Sequence, residues 1–417
     1  MSSTASIWTI AGFATAGVIL RPFGLPEALW AVGGAVLLVL LRLLSPQDAL
    51  AGIGKGLDVY LFLTGMMLLA ELARKEGLFD WLAAQATRRA QGSATRLFLL
   101  VYGVGALVTI FLSNDATAVV LTPAVAAAVK AAKAKDPLPY LLICAFIANA
   151  ASFVLPISNP ANLVLYGSHM PPLLVWLPHY LPASALAILA TYGALRWTQR
   201  AALRQAIAAE APSPALSRAG RIAAAGIAAT AVALLAASAL DLQLGLPTAI
   251  AGLATTALLL VVERKGPWDT IKDISWGVLP LVAGLFVLVE ALDRSGLVAL
   301  LGGLLRDSAQ RSETGAAWAA GAAIALASNL MNNLPAGLIA AGAVKDAQGP
   351  ESVTRAILIG VDIGPNFSVT GSLATILWLT ALRREKLNVG AWTFLKLGAL
   401  VMPPALLLAL AAALALP

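Results

Sequence analysis

Thiol and imidazole are nearly missing from this chain, and charge is scarce. A single cysteine, Cys144, excludes an internal disulfide framework and any multi-cysteine metal site. The two histidines, His169 and His179, stand ten positions apart and fit no metal-ligand spacing. No HExxH cluster and no nucleophile beside a base is visible, which argues against a membrane enzyme and leaves no cofactor to expect. Charged residues are 12% of 417 positions, against roughly 25% in soluble domains. The longest soluble stretch runs over about 200–219, contains Ala211-Pro212-Ser213-Pro214 and reads as a linker.

What fills the chain instead is hydrocarbon: 59% of residues are apolar and the mean hydropathy is +0.85. Such a chain belongs in a bilayer. Ten spans are readable, near 6–20, 27–44, 57–73, 138–155 with a broken continuation to 167, 172–199, 220–240, 247–263, 274–293, 353–365 continuing to 382, and 390–416. The first starts without a basic leader region or a small-residue cleavage site and reads as a retained span. Two apolar pairs, 97–112 with 116–130 and 315–330 with 334–345, are interrupted by polar tips and read as re-entrant hairpins. Segments 78–91 and 297–308 are amphipathic and suit the membrane interface.

The chain repeats itself. Gly24-Leu25-Pro26 returns as Gly245-Leu246-Pro247, and Pro46 with Asp48 returns as Pro267 with Asp269, both 221 positions on. Gly65, Glu71, Gly77-Leu78 and Asn114 return as Gly284, Glu290, Gly296-Leu297 and Asn333, at 219. Beyond the polar tips the offset becomes 213, pairing Asn149 with Asp362, Ser158-Asn159 with Gly371-Ser372, and Asn162 with Thr375. The expected fold is therefore an all-α polytopic membrane protein of two repeats, each with about five spans and one re-entrant hairpin. The first repeat covers 1–205, with scaffold helices in 6–73, hairpin and broken helix in 96–167 and a helix at 172–199. A cytoplasmic linker covers 206–219. The second repeat covers 220–417, with scaffold helices in 220–293, hairpin and broken helix in 313–382 and a helix at 390–416.

An odd number of crossings per repeat predicts that the halves are inverted. Under that topology Arg42, Lys55, Arg294, Arg306, Arg311, Lys345 and Arg355 fall on one side, and the rest of the 28 basic residues fall on the other. The richer side is the cytoplasm by the positive-inside rule, so both termini face the periplasm. This asymmetry explains the net charge of +7 without a nucleic-acid partner.

Four motifs carry the chemistry. In FLSNDATAVVLTP the tip Ser113-Asn114-Asp115 leaves free amides at the start of a helix, a place that favours an anion or a polar solute. Asp115 is the candidate proton or cation carrier, since a charge at bilayer depth is costly unless used or paired. A plain N-cap is the alternative. In SNLMNNLPAG, Asn332 and Asn333 occupy the matching tip and offer neutral hydrogen bonds, or serve only as glue between helices. In NAASFVLPISNPANL, Pro156 and Pro160 break a helix around Ser158 and Asn159, with Asn149 and Asn162 close by. Its partner VDIGPNFSVTGSLAT adds Asn366, Thr370, Gly371, Ser372 and Thr375, with Asp362 as a second proton-carrying candidate.

These motifs resemble the arsenite efflux permeases of the ArsB type, within the ion transporter superfamily that also holds dicarboxylate symporters and sodium/proton antiporters. The run from Gly364 to Thr375 is the most specific part, and Ser368-Val369-Thr370 stands where relatives often show Thr-Pro-Ile. The resemblance implies extrusion of arsenite or antimonite coupled to proton entry across a bacterial inner membrane. It also implies an elevator-type fold with a moving domain that carries both hairpins, often in a dimer and in some members partnered by a soluble ATPase. One thiol cannot form the three-thiolate site that soft arsenic prefers, so the neutral trihydroxide is expected to be handled through Asn, Ser, Thr and backbone groups. Cys144 reads as a small apolar filler or a minor contact. Two transport rivals stay open. A dicarboxylate or inorganic anion symporter would need a basic residue at the motifs, and none is seen. A sodium/proton antiporter would use Asp115, Asp362 and unwound carbonyls.

Overall fold

The computed structural model describes residues 3–167, 170–208 and 215–415. His169 and the Ala211-Pro212-Ser213-Pro214 part of the linker lie outside them. The described residues hold helices and no β-strand. The first half runs α1 (Ser3–Leu20), α2 (Glu27–Leu40), α3 (Pro46–Lys55), α4 (Leu57–Lys75), α5 (Leu78–Ala90), α6 (Ala94–Phe111), α7 (Thr122–Ala131), α8 (Leu138–Ala150), α9 (Pro160–Tyr166) and α10 (Leu173–Thr198). The second runs α11 (Arg218–Ala239), α12 (Gly245–Glu263), α13 (Trp268–Ile271), α14 (Val278–Arg294), α15 (Leu297–Arg311), α16 (Glu313–Met331), α17 (Asn333–Ala347), α18 (Glu351–Ile363), α19 (Leu373–Arg384) and α20 (Ala391–Ala415). Exposed apolar side chains such as Phe13, Leu40, Val261 and Leu407 form the outer surface, as a hydrocarbon solvent requires.

Among the described residues seven helices are long and apolar enough to cross a membrane, or eight if α3 and α4, bent by 50°, count as one span. The ten-span reading differs for a physical reason. The hairpin arms α6 and α16, at 18 and 19 residues, pass the test, whereas α2 and α14, at 14 and 17 residues, are too short, α4 passes only together with α3, and α8 with α9 and α18 with α19 are each broken in two.

The chain does turn back at the first tip. Thr117 places its hydroxyl 2.8 Å from that of Thr109, and 3.4 Å from the Gly105 carbonyl, contacts that a continuous helix forbids. In the second half α16 lies against α17 in the same way. Local signals match across the halves. Ser93 caps α6 through the amide of Arg96, and Ser312 caps α16 through that of Gly315. Gly77 and Gly296 end α4 and α14 with φ of 73° and 88°, a left-handed backbone that explains why glycine recurs there.

Packing exchanges partners between the halves. Helix α4 lies on α12 and α14 lies on α2; α9 packs on α17, and α19 packs on the turn leading into α7. Both crossings depend on small residues. A Cβ at Gly65 would collide with the Thr248 carbonyl of α12, and one at Gly284 would stand 2.7 Å from the Ala31 backbone of α2. At the α12 entry, the Asp58 carboxylate of α4 accepts from the Gly245 amide at 2.8 Å. Ionic clusters finish each crossing: Glu71 with Arg74 and Lys75 near Asp273, and Glu290 with Lys55 and Arg294 near Asp48. Beside the exposed loop, the Lys75 ammonium 2.8 Å away holds the Asp273 carboxyl below its ordinary range.

Candidate functional site

All four motifs meet at one cavity of about 50 Å³. Its polar wall is Asn114 and Asp115 from the first tip, Asn332 and Asn333 from the second, Asn159 from the first broken helix and Ser372 from the other. The rest of the lining is apolar: Val18 of α1, Leu63 of α4, and Val278, Leu281, Val282 and Leu285 of α14, with Pro160, Leu334, Pro335 and Leu373 beside the polar groups. Among the described residues that line it, Asp115 is the only charged one and none carries sulfur.

Each polar residue is set by local backbone chemistry. At the first tip the hydroxyl of Ser113 accepts from the Ala116 amide at 3.1 Å, and Asn114 Oδ1 accepts from the Asp115 amide at 2.9 Å. Ser113 is thus spent on capping, while the Asn114 amide group remains for the cavity. The Asp115 carboxylate makes no hydrogen bond or ion pair to any described residue, so it is presented to the cavity and is not consumed as a cap. The chain then enters α7 through a π-helical stretch, Ala116–Leu121, a wider winding that often marks functional positions.

At the second tip Asn332 has φ 73° and ψ 152°, a region almost reserved for glycine, and its side chain accepts from the Leu334 amide at 3.3 Å. The strain is local and testable. Asn332→Val keeps it, adds β-branching and removes the cap, and should lower stability by about 1–3 kcal/mol in a thermal unfolding series in detergent, whereas Asn332→Gly should cost nothing.

The two broken helices restart on matching caps. Asn159 accepts from the Ala161 amide at 3.0 Å, and Ser372 accepts from the Ala374 amide at 3.2 Å. Behind them lies a fully buried layer that never reaches the cavity. Asp362 accepts a 2.5 Å hydrogen bond from Asn159 Nδ2, so this second carboxylate sits one residue removed from the lining. Asn149 donates to Asn366 Oδ1 at 3.0 Å, and Asn366 donates to the Phe146 carbonyl at 3.0 Å. Asn162 holds the first unwound turn through the Ser152 carbonyl at 2.9 Å, and Ser158 donates to the Ile110 carbonyl at 3.0 Å. Thr375 is buried without reaching the lining, and Gly371 is pressed against Pro365 and the Asn329 side chain, where a Cβ would not fit. Cys144 is fully buried in α8, outside the cavity.

One residue escaped the motif reading. Asn329, in the last turn of α16 before the tip, accepts from the Ser368 amide at 3.0 Å and hydroxyl at 2.7 Å, and donates to the carbonyls of Ala325 at 2.7 Å and Gly364 at 3.0 Å. Its own carbonyl accepts from Thr370 at 2.7 Å. The Ser368-Val369-Thr370 departure is therefore held by hydroxyls on Asn329. The signal was the unusual polar density of SNLMNN in an apolar arm.

An all-helical, multi-pass chain of two interlocked repeats around a small polar cavity is a membrane transporter. The chain belongs to the citrate transporter family CitMHS, whose model matches residues 13–360. It is similar to the arsenical pump membrane protein of Yersinia enterocolitica, 28% identical over 365 residues covering 83% of each chain, and to that of Escherichia coli K12, 27% identical over 413 residues covering 95% of each. The resemblance to arsenical permeases expected from the motifs is borne out at that level. The fold matches the solved YdaH transporter of Alcanivorax borkumensis with a TM-score of 0.59 over 99% of this chain and 98% of that one, at 15% identity.

Proposed function

We propose that this chain extrudes arsenite, and antimonite with it, from the cytoplasm in exchange for protons. One observation carries the reading: a cavity with room for roughly four waters, walled by amides, a hydroxyl and one free carboxylate. Arsenite at neutral pH is an uncharged trihydroxide of one arsenic and three oxygens, which fits that room and that hydrogen-bonding inventory. Asp115 is assigned the coupling role. Protonated, it travels with an empty site; ionised, it accepts from the hydroxyls of the cargo. Asp362 is assigned the orientation of Asn159.

Citrate, the substrate named in the family description, is supported less well. It is far larger than this cavity, and a polyanion beside Asp115 meets no Lys or Arg in the lining. The sodium/proton alternative is separated by expression tests: arsenite-sensitive cells should gain resistance to arsenite and antimonite, with arsenate sensitivity unchanged, whereas a gain of sodium or lithium tolerance alone would replace the present reading.

The motion proposed is of elevator type, with α1–α4 and α11–α14 fixed and the tips moving. The division of the lining supports it, because every polar lining residue belongs to the tips and broken helices, and the residues contributed by α1, α4 and α14 are all valine or leucine. Everted vesicles should accumulate radiolabelled arsenite when a proton gradient is imposed and lose it when the gradient is collapsed; accumulation indifferent to the gradient would refute the coupling. Inversion of the repeats, with both termini periplasmic, is tested by labelling. In a Cys144→Ala background, a cysteine at Lys133 should react only from the cytoplasm and one at Lys345 only from outside. Reaction of both from one side would sink the topology.

A further inference from the structure

The polar groups of the cavity are suited to hydroxyl groups and offer the central atom of a trihydroxide no chemical partner. Its polar groups are donors and acceptors of hydrogen bonds. Asn114 and Asn332 each have Oδ1 engaged by backbone and an amide group left over; Asn333 has no side-chain hydrogen bond to a described residue; Ser372 accepts from backbone and keeps its proton to donate. Asp115 supplies an acceptor with no competing partner. Sulfur is absent from the lining, since Cys144 is buried in α8. The residues contributed by α1, α4 and α14 are valine and leucine, which offer the central atom only dispersion. Recognition of arsenic as a soft centre would need thiolate, and none is in reach.

Resting on the arsenite reading above, we propose that the site recognises the neutral trihydroxide array and not the element, and that boric acid is a second transported substrate. Boric acid carries three hydroxyls on one small centre, stays undissociated at neutral pH and is smaller than arsenite, so it satisfies the same groups within the same volume. It has no affinity for thiols in the manner of arsenic. The opposite probe is methylarsonous acid, which keeps the soft arsenic centre and loses one hydroxyl to a methyl group.

The experiment uses everted vesicles containing the full chain, with vesicles lacking it as the control for passive leak. Initial uptake of trace arsenite is measured with excess boric acid or excess methylarsonous acid, and boron accumulation is measured separately by elemental mass spectrometry. The expected result is that boric acid slows arsenite uptake several-fold, that boron accumulates above control in a gradient-dependent way, and that methylarsonous acid competes less well than boric acid. Arsenite uptake that boric acid neither slows nor accompanies would overturn this inference and leave the arsenite reading standing. Stronger competition by methylarsonous acid would overturn it in favour of recognition through arsenic. Boron accumulation with no arsenite transport would keep the hydroxyl-reading site and overturn arsenite as its cargo, and transport of neither would overturn both.

Discussion

Asp115→Asn should abolish gradient-driven arsenite accumulation while leaving a folded protein. The carboxylate bonds to no described residue, so its replacement by an isosteric amide breaks nothing that holds the first tip, where Ser113 and Asn114 do the capping. What is lost is the only charged group in the lining and the only one there that can gain and lose a proton. A decrease of about 100-fold in the accumulation rate corresponds to about 2.7 kcal/mol of lost coupling. Downhill exchange of arsenite across the same vesicles should survive, because the asparagines and Ser372 still bind. Asp362→Asn should behave differently. It weakens the hold on Asn159, and therefore apparent affinity, while some gradient dependence persists. Wild-type accumulation and pH dependence in Asp115→Asn would rule out the assignment.

Asn329→Ala should be the most damaging single change outside the lining. It strips the partner from the Ser368 amide and from the Gly364 carbonyl, both in the turn that delivers Ser372 to the cavity, and removes the bond to the Ala325 carbonyl of its own helix. The Gly364 carbonyl is buried and the Ser368 amide half-buried, and a buried group left orphaned costs about 1–3 kcal/mol, so a stability loss of about 2 kcal/mol is expected, read as a lower unfolding temperature in detergent. Arsenite flux per folded molecule should fall at least about tenfold, since Ser372 loses its fixed position. Asn329→Asp retains the acceptor for Ser368 and loses the donor to Gly364, and should lie between the two. Full flux in Asn329→Ala would show that the turn is held by Thr370 and the backbone without this side chain.

Much of this architecture was legible because two copies of each signal stood at fixed offsets. Gly65 with Gly284 marked the helix crossings, Gly77 with Gly296 the left-handed helix ends, and Asn114 with Asn333 the tips. The polar tips were conspicuous because hydrocarbon surrounds them. Sorting cavity groups from braces was a different matter. Asn114 and Asn149 are the same residue type, yet one lines the cavity and the other bonds to Asn366, 217 positions away. That distinction exists only after the chain has folded. The π-helical winding at Ala116–Leu121 has no composition of its own, so FLSNDATAVVLTP reads as an ordinary helix start. Span counting was limited by length, which a hairpin arm and a true crossing share.

The exchange of partners between halves has a consequence for biosynthesis. When the ribosome has finished α4, the surface around Gly65 that fits α12 has nothing to meet, and α2 waits equally for α14. The first half therefore enters the bilayer with two open seams, occupied by lipid until the second half arrives some two hundred residues later. These two crossings can close only late, although α5, α6, α7 and α8 already pack on one another within the first half. Truncated chains that stop before α12 should be substrates for membrane proteolysis, and the two halves supplied as separate polypeptides should each depend on the other to persist.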